Sequence, residues 1–332
     1  MRAAYVEAPG PPESIVVGER PDPVAGPGEV VVRVSAASVN PIDLYLRAGI
    51  VAMPIPIPYI VGCDLAGVVE SLGPEVSGLH VGDRVWGSNQ GLLGRQGVTA
   101  QRAAVDQRWL YPTPDNLDDA HAAAMALVGI TAHLGLFHRG GLQAGESVYV
   151  AGGAGGVGSM VVQMAKAAGA RVATSAGRAE NLAYCRDELK ADHVFEYKHD
   201  DLATEIKAFA PEGVDLWFET RREPDLEISV PLLRRRGRMI LMAGRTAKPT
   251  LPLGSFYTRD CAIHGFAMFN ADPADQRRAA EAMNRWASAG LLKADIGRTF
   301  PIEEAAEAHR LLEANTLHGA GTLRGKVVIA IG

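Results

Sequence analysis

Three glycines at fixed spacing mark the stretch of this sequence whose residue types point most directly to chemistry. They form Gly153-x-Gly155-x-x-Gly158, directly after a predicted apolar strand and at the start of a predicted helix. Such glycines permit a tight turn and bring backbone N–H groups close to a pyrophosphate, and the helix N-terminus adds positive partial charge. In this context the pattern predicts a dinucleotide-binding loop rather than a plain glycine-rich turn. The expected contacts are Gly153, Ala154, Gly155, Gly156, Val157 and Gly158.

The end of the next predicted strand indicates which dinucleotide is bound. An NAD site usually has an Asp or Glu here, which binds the ribose 2′-hydroxyl. This sequence has no carboxylate before Glu180 and offers Ser175, Gly177 and Arg178 instead. A hydrogen bond from a guanidinium to a 2′-phosphate contributes about 1.5–3 kcal/mol, so the sequence favours NADPH. An ordinary solvated position at a helix start is the alternative for Arg178.

Alternating strands and helices after about residue 120 would position this loop. That alternation implies a parallel sheet covered on both faces, and six strands suit a doubly wound dinucleotide-binding fold. The first third of the chain is instead β-rich, and a last strand at 325–331 is expected to return to it. The fold class is therefore α/β, with a β-rich domain and a doubly wound domain. The six predicted strands of the second domain are 147–152, 171–176, 193–197, 214–219, 238–244 and 261–267.

Composition excludes several other classes of function. The net charge of −5 argues against a nucleic-acid or membrane-surface partner, and no apolar run is expected to span a membrane. The three cysteines are far apart and odd in number, which argues against a disulfide framework and favours the reducing cytoplasm. The basic run RRRGR (234–238) is interpreted as a solvated turn between a helix and a strand.

Five stretches along the whole chain form an ordered set of motifs. They are NPIDLYLRAG (40–49), GCDLAGVVESLGPEVSGLHVGDRV (62–85), LVGITAHLGL (127–136), GGAGGVG (152–158) and HGAGTLRGKVVI (318–329). Together they resemble motifs of the medium-chain dehydrogenase/reductase superfamily, and more narrowly of its zinc-independent, zeta-crystallin-like quinone oxidoreductases. The resemblance implies a GroES-like catalytic domain that carries a Rossmann cofactor domain as an insertion. The implied ranges are 1–122 for the catalytic domain, 123–265 for the NADPH-binding domain and 266–332 for the return to the catalytic domain.

The same resemblance implies that no metal is bound. Zinc members of the superfamily use a cysteine where this chain has Asn40, and a His-Glu pair where it has Cys63-Asp64. The four-cysteine structural lobe also has no counterpart in residues 88–101. Without zinc, an electron-poor acceptor is easier to reduce than an alcohol is to oxidise. The resemblance therefore implies hydride transfer from NADPH to a quinone, or to the β-carbon of an enone or enal.

Two side chains in the first motif are expected to act in catalysis by stabilising negative charge on a substrate oxygen, namely Asn40 and Tyr45. Alternatively, Asn40 ties down the turn before Pro41 and Tyr45 only caps the pocket. The resemblance implies further cofactor contacts from Thr131, Tyr197, Ala243, Gly244, Phe266, Ala267 and Met268. Alternatively, Phe266 and Met268 are residues of the core or of a dimer interface, and the sequence does not favour either role over a cofactor contact.

One segment departs from the family pattern. Relatives usually have small residues and glycine after the fourth strand, where this chain reads ETRREPD (219–225). The main hypothesis is an NADPH-dependent, zinc-independent quinone reductase of the cytoplasm, with a small-molecule substrate. It is expected to be a homodimer that pairs through its sixth strands. The alternatives are an enoyl or 2-alkenal reductase, a non-catalytic NADPH-binding protein and, third, an alcohol dehydrogenase.

Overall fold

The computed structural model describes residues 1–332, which form two compact units. The first unit comprises Met1–Leu127, Gln276–Ser288 and Lys293–Gly332, and the second comprises Val128–Asp275 and Ala289–Leu292. The chain thus enters the second unit after Leu127 and returns at Gln276, whereas the boundaries implied above follow residues 122 and 265.

The strands and helices are numbered in chain order. The strands are β1 (Arg2–Val6), β2 (Val16–Glu19), β3 (Glu29–Val39), β4 (Tyr59–Ile60), β5 (Asp64–Leu72), β6 (Arg84–Gly87), β7 (Arg102–Asp106), β8 (Leu110–Pro112), β9 (Ser147–Ala151), β10 (Arg171–Ala176), β11 (His193–Glu196), β12 (Val214–Glu219), β13 (Leu233–Leu241), β14 (Ala262–Gly265), β15 (Ile296–Pro301) and β16 (Lys326–Ala330). The helices are α1 (Pro41–Arg47), α2 (Asp119–His133), α3 (Gly156–Ala167), α4 (Ala179–Ala183), α5 (Leu202–Phe209), α6 (Leu226–Ser229), α7 (Leu253–Tyr257), α8 (Pro273–Ser288) and α9 (Ala305–Thr316).

The first unit is built on β-strands, as its valine-rich sequence predicts. Its larger sheet has the order β15-β16-β3-β5-β6-β8, and β7 also pairs with β3. A smaller sheet has the order β2-β1-β4. The long strand β3 buries Val30, Val32 and Val34, because β-branched side chains pack well on a pleated surface. The last strand, β16, pairs antiparallel with β3, so the predicted return of the chain to this unit is confirmed.

The second unit contains one six-stranded parallel sheet with the order β11-β10-β9-β12-β13-β14. Strand β10 lies on one side of β9 and β12 lies on the other, so the strand order reverses direction at β9. Such a reversal is the switch point of a doubly wound fold. Tyr149, Phe195 and Trp217 pack their rings together in its core. The predicted fold class, α/β with a β-rich and a doubly wound domain, is confirmed.

Two expectations from the sequence are wrong. The run Arg234–Arg238 does not form a turn before a strand, because β13 begins at Leu233 and contains it. One helical segment, Asp119–Arg139, is long and apolar enough to span a membrane, although no such run was expected. Because 72% of its apolar window is buried inside the protein, its composition is that of a core helix, which is apolar on all sides.

A buried histidine lies where α9 packs on α1. His309 is fully buried, and neither ring nitrogen has a hydrogen-bond partner in the protein. Burial, together with the nearby Arg47 guanidinium, lowers the pKa of His309 to about 3. Arg47 is itself fully buried and forms an ion pair with Glu313. The imidazole is therefore held neutral in the folded protein.

This arrangement predicts how His309 contributes to stability as pH changes. The folded-state pKa lies below the ordinary value of 6.5, so below that pH the unfolded chain takes up a proton that the folded chain does not. We expect the free energy of unfolding of the wild type to fall relative to that of His309→Leu as pH is lowered from 7 to 5, by up to about 1.4 kcal/mol per pH unit.

Urea unfolding of both proteins at each pH measures this difference. The exposed His318 provides a matched control, and His318→Leu should track the wild type at every pH. A constant difference between wild type and His309→Leu over this range would contradict the neutral, buried state of the imidazole.

Candidate cofactor and active site

The glycine loop lies at the carboxyl end of β9, at the switch point of the parallel sheet. A Cβ atom on Gly153 would lie 2.2 Å from the hydroxyl oxygen of Thr174, and one on Gly158 would lie 2.1 Å from the carbonyl oxygen of Gly152. A side chain at Gly158 would require the backbone to move, and one at Gly153 would displace the Thr174 side chain. Gly152 itself has φ of 77°, which favours glycine. Packing within the second unit thus explains why this turn needs glycine.

The other loop residues form an open cradle at the start of α3. Gly155 is the N-cap of this helix and is exposed, and no side chain caps the helix. Ala154, Gly156 and Val157 are partly exposed. The first N–H groups of a helix have no partner within it, so they are available to an anion, and the helix dipole favours negative charge there. The loop therefore fits a pyrophosphate group.

Ser175 does not face this cradle. It is buried in β10, and its hydroxyl oxygen lies 2.7 Å from the phenol oxygen of Tyr149 in the core. The neighbouring Thr174 points the other way and donates to the carbonyl of Val150 beneath the loop. Side chains alternate between the two faces of a sheet along a strand, so Thr174 and Ser175 point to opposite faces. Because the Ser175 hydroxyl is engaged by Tyr149, the geometry does not support its predicted contact with a 2′-phosphate.

Three other predicted residues do come together at the end of β10. A Cβ atom on Gly177 would lie 2.6 Å from the phenol oxygen of Tyr197, so the Tyr197 ring lies directly against this glycine. Tyr197 follows β11 and is 54% exposed. The Arg178 guanidinium lies next in sequence and is 3.0 Å from the Glu180 carboxylate, which is itself largely exposed. A phenol and a guanidinium thus border the place where the resemblance expects the adenosine end of the cofactor.

The unusual segment 219–225 is anchored beneath the glycine loop. Glu219 is 1% exposed and accepts two hydrogen bonds from the Arg221 guanidinium, at 2.9 and 2.7 Å. Thr220 donates to the carbonyl of Ala151 at the end of β9. The carbonyl of Arg222 approaches Gly244 so closely that a Cβ there would lie 2.5 Å from it. This segment therefore contains an ion pair between Glu219 and Arg221 where the resemblance leads us to expect small residues.

The remaining predicted cofactor residues differ in their accessibility. Ala243 is exposed and Gly244 partly exposed after β13. Phe266 and Ala267 are partly exposed after β14, and the backbone N–H of Phe266 donates to the carbonyl of Leu241. Met268 is 5% exposed and Thr131, within α2, is 3% exposed. The low exposure of Met268 agrees with the alternative of a core residue. For the other residues a cofactor contact stays a prediction.

In the first unit, Asn40 is fully buried and all of its side-chain polar groups are engaged. Its Nδ2 donates to the Asp64 carboxylate at 2.7 Å and to the carbonyl of Ser38 at 3.2 Å. Its Oδ1 accepts from the Lys326 ammonium, and its backbone N–H donates to Asp43 at 2.8 Å. A direct contact between the Asn40 amide and a substrate would require one of these bonds to break. The geometry favours the alternative in which Asn40 holds the turn at the start of α1.

The cluster around Asn40 is a fully buried charge network. Asp64 also accepts from the Ser88 hydroxyl at 2.6 Å and from the backbone N–H of Leu127 at 3.2 Å. Burial raises the pKa of Asp64, and the Lys326 charge opposes this effect. Burial lowers the pKa of Lys326, and the Asp64 charge opposes it in turn. Each charge therefore lessens the cost of burying the other.

Two more groups of the network have shifted pKa values. Burial, and then the charge of Asp64, raises the pKa of Asp43 to about 7. Burial raises the pKa of the Cys63 thiol well above its ordinary value, and Asp43 and Asp64 add to that effect. Cys63 is therefore kept as a thiol.

These residues do not fit a zinc ion. Zinc sites use thiolate, imidazole or carboxylate ligands around the metal. Here the Asp64 carboxylate is engaged by an amide, a hydroxyl and a backbone N–H, and the Asp43 carboxylate accepts from the backbone N–H of Asn40. The Lys326 ammonium would repel a cation. Within residues 1–332, no three or more side chains of the types His, Cys, Asp and Glu are arranged so that they could hold a metal ion.

Tyr45 remains the more accessible of the two predicted catalytic side chains. It lies on the short helix α1 and is partly exposed. Its carbonyl accepts from the backbone N–H groups of Ile50 and Val51, which fixes the chain after the helix. Asn40 and Tyr45 are thus joined by one helix, but only Tyr45 presents surface outside the protein.

The sequence reasoning missed Lys326, Asp43 and Ser88 as members of the buried network. A signal existed for two of them. Asp43 stands three residues after Asn40 at a helix start, which is the spacing of a capping pair. Lys326 is a charged residue at the start of the apolar strand KVVIA, and a charge there needs a buried partner. Nothing in the local pattern marks Ser88.

Comparisons with known proteins agree with the two units. Residues 26–115 match the family model of the alcohol dehydrogenase GroES-like domain, and residues 156–287 match that of zinc-binding dehydrogenases. The chain is 31% identical over 335 residues to the human quinone oxidoreductase, covering 100% of this chain and 98% of that protein. It is 31% identical over 330 residues to a 2-haloacrylate reductase from a Burkholderia species, covering 94% and 95%.

A solved structure adds a likeness in three dimensions. It is that of a mycobacterial protein in complex with NADPH, with a TM-score of 0.83 and 26% identity over 100% of both chains. The relatives named above are enzymes, which disfavours the non-catalytic alternative. The identity over the full length and the two matched domains show that the chain is an oxidoreductase of the medium-chain dehydrogenase/reductase superfamily, in the branch that includes the quinone oxidoreductases.

Proposed function

We propose that this protein is an NADPH-dependent reductase that transfers a hydride to quinones without a zinc ion. The observation that carries the proposal is the buried network of Asn40, Asp64 and Lys326, in which the side chains are bonded to one another. The resemblance expects metal ligands of zinc members at the positions of Asn40 and Asp64. An alcohol needs an electrophile to polarise it before a hydride can leave. A quinone is already electron-poor and accepts a hydride without a metal, so the residues present suit reduction better than alcohol oxidation.

The second unit would hold the cofactor, which supplies the hydride when it is bound. The N–H groups of the glycine loop 153–158 and the N-terminus of α3 would bind its pyrophosphate. The Arg178 guanidinium and the Tyr197 phenol would bind the 2′-phosphate, because both border Gly177 and no carboxylate occupies the ribose position. Arg178 would exchange its exposed partner Glu180 for the phosphate. The favoured dinucleotide is therefore NADPH.

The first unit would supply the group that stabilises negative charge on the substrate. The Tyr45 phenol would donate a hydrogen bond to the substrate oxygen as the hydride arrives, and water can provide the proton afterwards. Asn40 would act as a positioning residue, because its bonds to Asp43 and Asp64 fix the start of the helix that carries Tyr45.

A second candidate activity is the reduction of an electron-poor alkene, such as an enone or 2-alkenal. The full-length relative named 2-haloacrylate reductase supports it, since a haloacrylate is an alkene conjugated to a carboxylate. The same hydride donor and the same hydrogen-bonding phenol would serve both reactions. The two reactions differ only in the acceptor that receives the hydride.

Two properties of the whole protein belong to the same proposal. Strand β14 is the edge of its sheet and pairs only with β13, so its other side is open to a second copy of the chain. Near it in sequence, Leu253 and Tyr257 expose more than 60% of their surface. We therefore favour a homodimer that pairs through β14. A cytoplasmic location stays a prediction from the three free cysteines.

The first prediction concerns the acceptor and the metal. We expect NADPH oxidation with a 1,4-quinone to be faster than with a 2-alkenal, and to be unchanged after prolonged incubation with a chelator. Loss of NADPH absorbance measures both rates, with an acceptor-free reaction as the blank. Faster turnover of the alkenal would contradict the quinone reductase and support the second candidate activity, reduction of an electron-poor alkene. Loss of activity with the chelator, restored by zinc, would refute the metal-free mechanism.

The second prediction concerns the choice of dinucleotide. Arg178→Ala should raise the KM for NADPH about tenfold or more and change the KM for NADH less than about twofold, since only NADPH carries the 2′-phosphate. Arg186→Ala removes an exposed arginine from the same unit and should change neither value. Equal effects of Arg178→Ala on both dinucleotides would remove the argument for NADPH.

The third prediction concerns Tyr45. Tyr45→Phe keeps the ring but removes the hydroxyl, and we expect kcat with a quinone to fall about tenfold while the KM for NADPH stays within about twofold. Tyr5→Phe, a similar change at another partly buried tyrosine of the first unit, should leave both unchanged. An unchanged kcat in Tyr45→Phe would assign Tyr45 to shaping the pocket only.

A further inference from the structure

The second unit has a cavity of about 740 Å³ at the opposite edge of its sheet from the glycine loop. It lies at the amino ends of β9, β10, β12 and β13, whereas the cofactor residues follow the carboxyl ends of the strands. Its volume is in the range of small-molecule sites. Its charged lining comprises Arg171, Arg234, Arg235, Arg236, Glu212 and Asp215.

A bulge in β13 brings three of these arginines to the cavity. Val214 pairs with Leu233 and Leu216 pairs with Arg238, so a single residue of β12 opposes four residues of β13. The extra residues have no register partner on β12, and Arg234–Arg236 are exposed. Arg236 has φ of 63°, a conformation uncommon for residues other than glycine, and its N–H donates to the carbonyl of Arg259. The bulge explains why RRRGR is not a simple turn.

Two of the arginines are neutralised by carboxylates. Asp215 lies 2.5 Å from the Arg234 guanidinium and accepts two hydrogen bonds from Ser147, so both charges are paired. The Arg235 guanidinium lies 3.2 Å from the Asp260 carboxylate. Neither arginine therefore has a free charge to offer a ligand without giving up a partner.

The other two arginines have no carboxylate partner. The Arg171 guanidinium donates to the carbonyl of Phe209 at 2.7 Å and lies 4.6 Å from the centre of the Phe209 ring, which holds its plane in place. The Arg236 side chain makes no hydrogen bond or ion pair within residues 1–332. Among the lining acids, Glu212 alone has no ion pair. The lining thus contains two positive charges and one negative charge that have no ion-pair partner.

A purely structural role explains part of this cluster but not all of it. The carboxyl ends of helices point toward this edge of the sheet, and their carbonyls need donors. Arg171 serves the end of α5 through Phe209, and Arg259 serves the carbonyls of Pro231 and Leu233. Arg236 serves no carbonyl. Arg236 lies in the bulge with an unfavourable backbone conformation. Its guanidinium stabilises the fold through no hydrogen bond or ion pair.

We propose that this cavity binds a small phosphate-bearing anion of two or more negative charges through Arg171 and Arg236. A guanidinium presents two parallel N–H groups, which match two oxygens of a phosphate. The proposed site is separate from the dinucleotide site and does not depend on the reaction that the protein catalyses.

Isothermal titration of inorganic pyrophosphate into the full-length protein tests this site. The titration is done with NADPH at saturation, so that the glycine loop is already occupied. We expect the wild type to bind pyrophosphate, Arg236→Ala to weaken binding at least about tenfold, and Arg236→Lys to weaken it less, since the charge is kept but the fork is lost. Arg171→Lys should also weaken binding, while a donor to Phe209 is retained.

Two control variants complete the design. Arg186→Ala removes an exposed arginine outside the cavity and should bind as the wild type does. Arg235→Ala removes an arginine that Asp260 already neutralises, and should change the affinity less than about threefold. Thermal melting of each variant verifies that the fold is intact.

Three results would overturn the proposal. One is an absence of heat from pyrophosphate at millimolar concentration with the wild type. Another is equal weakening in Arg236→Ala and Arg186→Ala, which would indicate a general effect of charge. The last is binding of pyrophosphate in a parallel titration without NADPH but not in the titration with NADPH at saturation, which would assign the binding to the glycine loop.

Discussion

The ammonium group of Lys326 is buried in the first unit, and the arrangement around it follows from the need to neutralise that charge. An isolated buried charge is very costly, so a partner and hydrogen bonds must accompany it. Asp64 supplies the opposite charge, and Asn40 bonds to both side chains. Because these residues come from β16, from β5 and from the turn before α1, the network ties three distant parts of the chain together.

The same network decides what chemistry the first unit can offer. Once the Asn40 amide and the Asp64 carboxylate are engaged, neither is available to a metal or, without breaking a bond, to a substrate. On the adjoining helix, Tyr45 is the residue with a polar side chain that is partly exposed. Under the proposed function, the buried network fixes the backbone and the hydrogen-bond donor at its border acts on an electron-poor acceptor.

The second unit uses the two edges of one parallel sheet differently. At the carboxyl edge, the chain packs closely around Gly153 and Gly158, and the first N–H groups of α3 have no partner within the helix. At the amino edge, arginines compensate the carbonyl ends of helices, and a bulge in β13 adds a guanidinium beyond that need. Both features are positive in charge, but one is built from the backbone and the other from side chains.

Periodicity, glycine spacing and the motifs spread along the chain were enough to determine the α/β class, the six-stranded sheet, the return of the last strand and the family. Each of these properties follows from a pattern within a short stretch of sequence, such as the alternation of apolar residues or the spacing of glycines. Only the tertiary structure shows that the Ser175 hydroxyl bonds to Tyr149 in the core. The sequence near Ser175 does not reveal which face of the sheet its side chain lies on. The tertiary structure also decided that Arg234–Arg236 bulge from a strand and that Lys326 joins Asn40, because pairing register and contacts between distant residues leave no local signal.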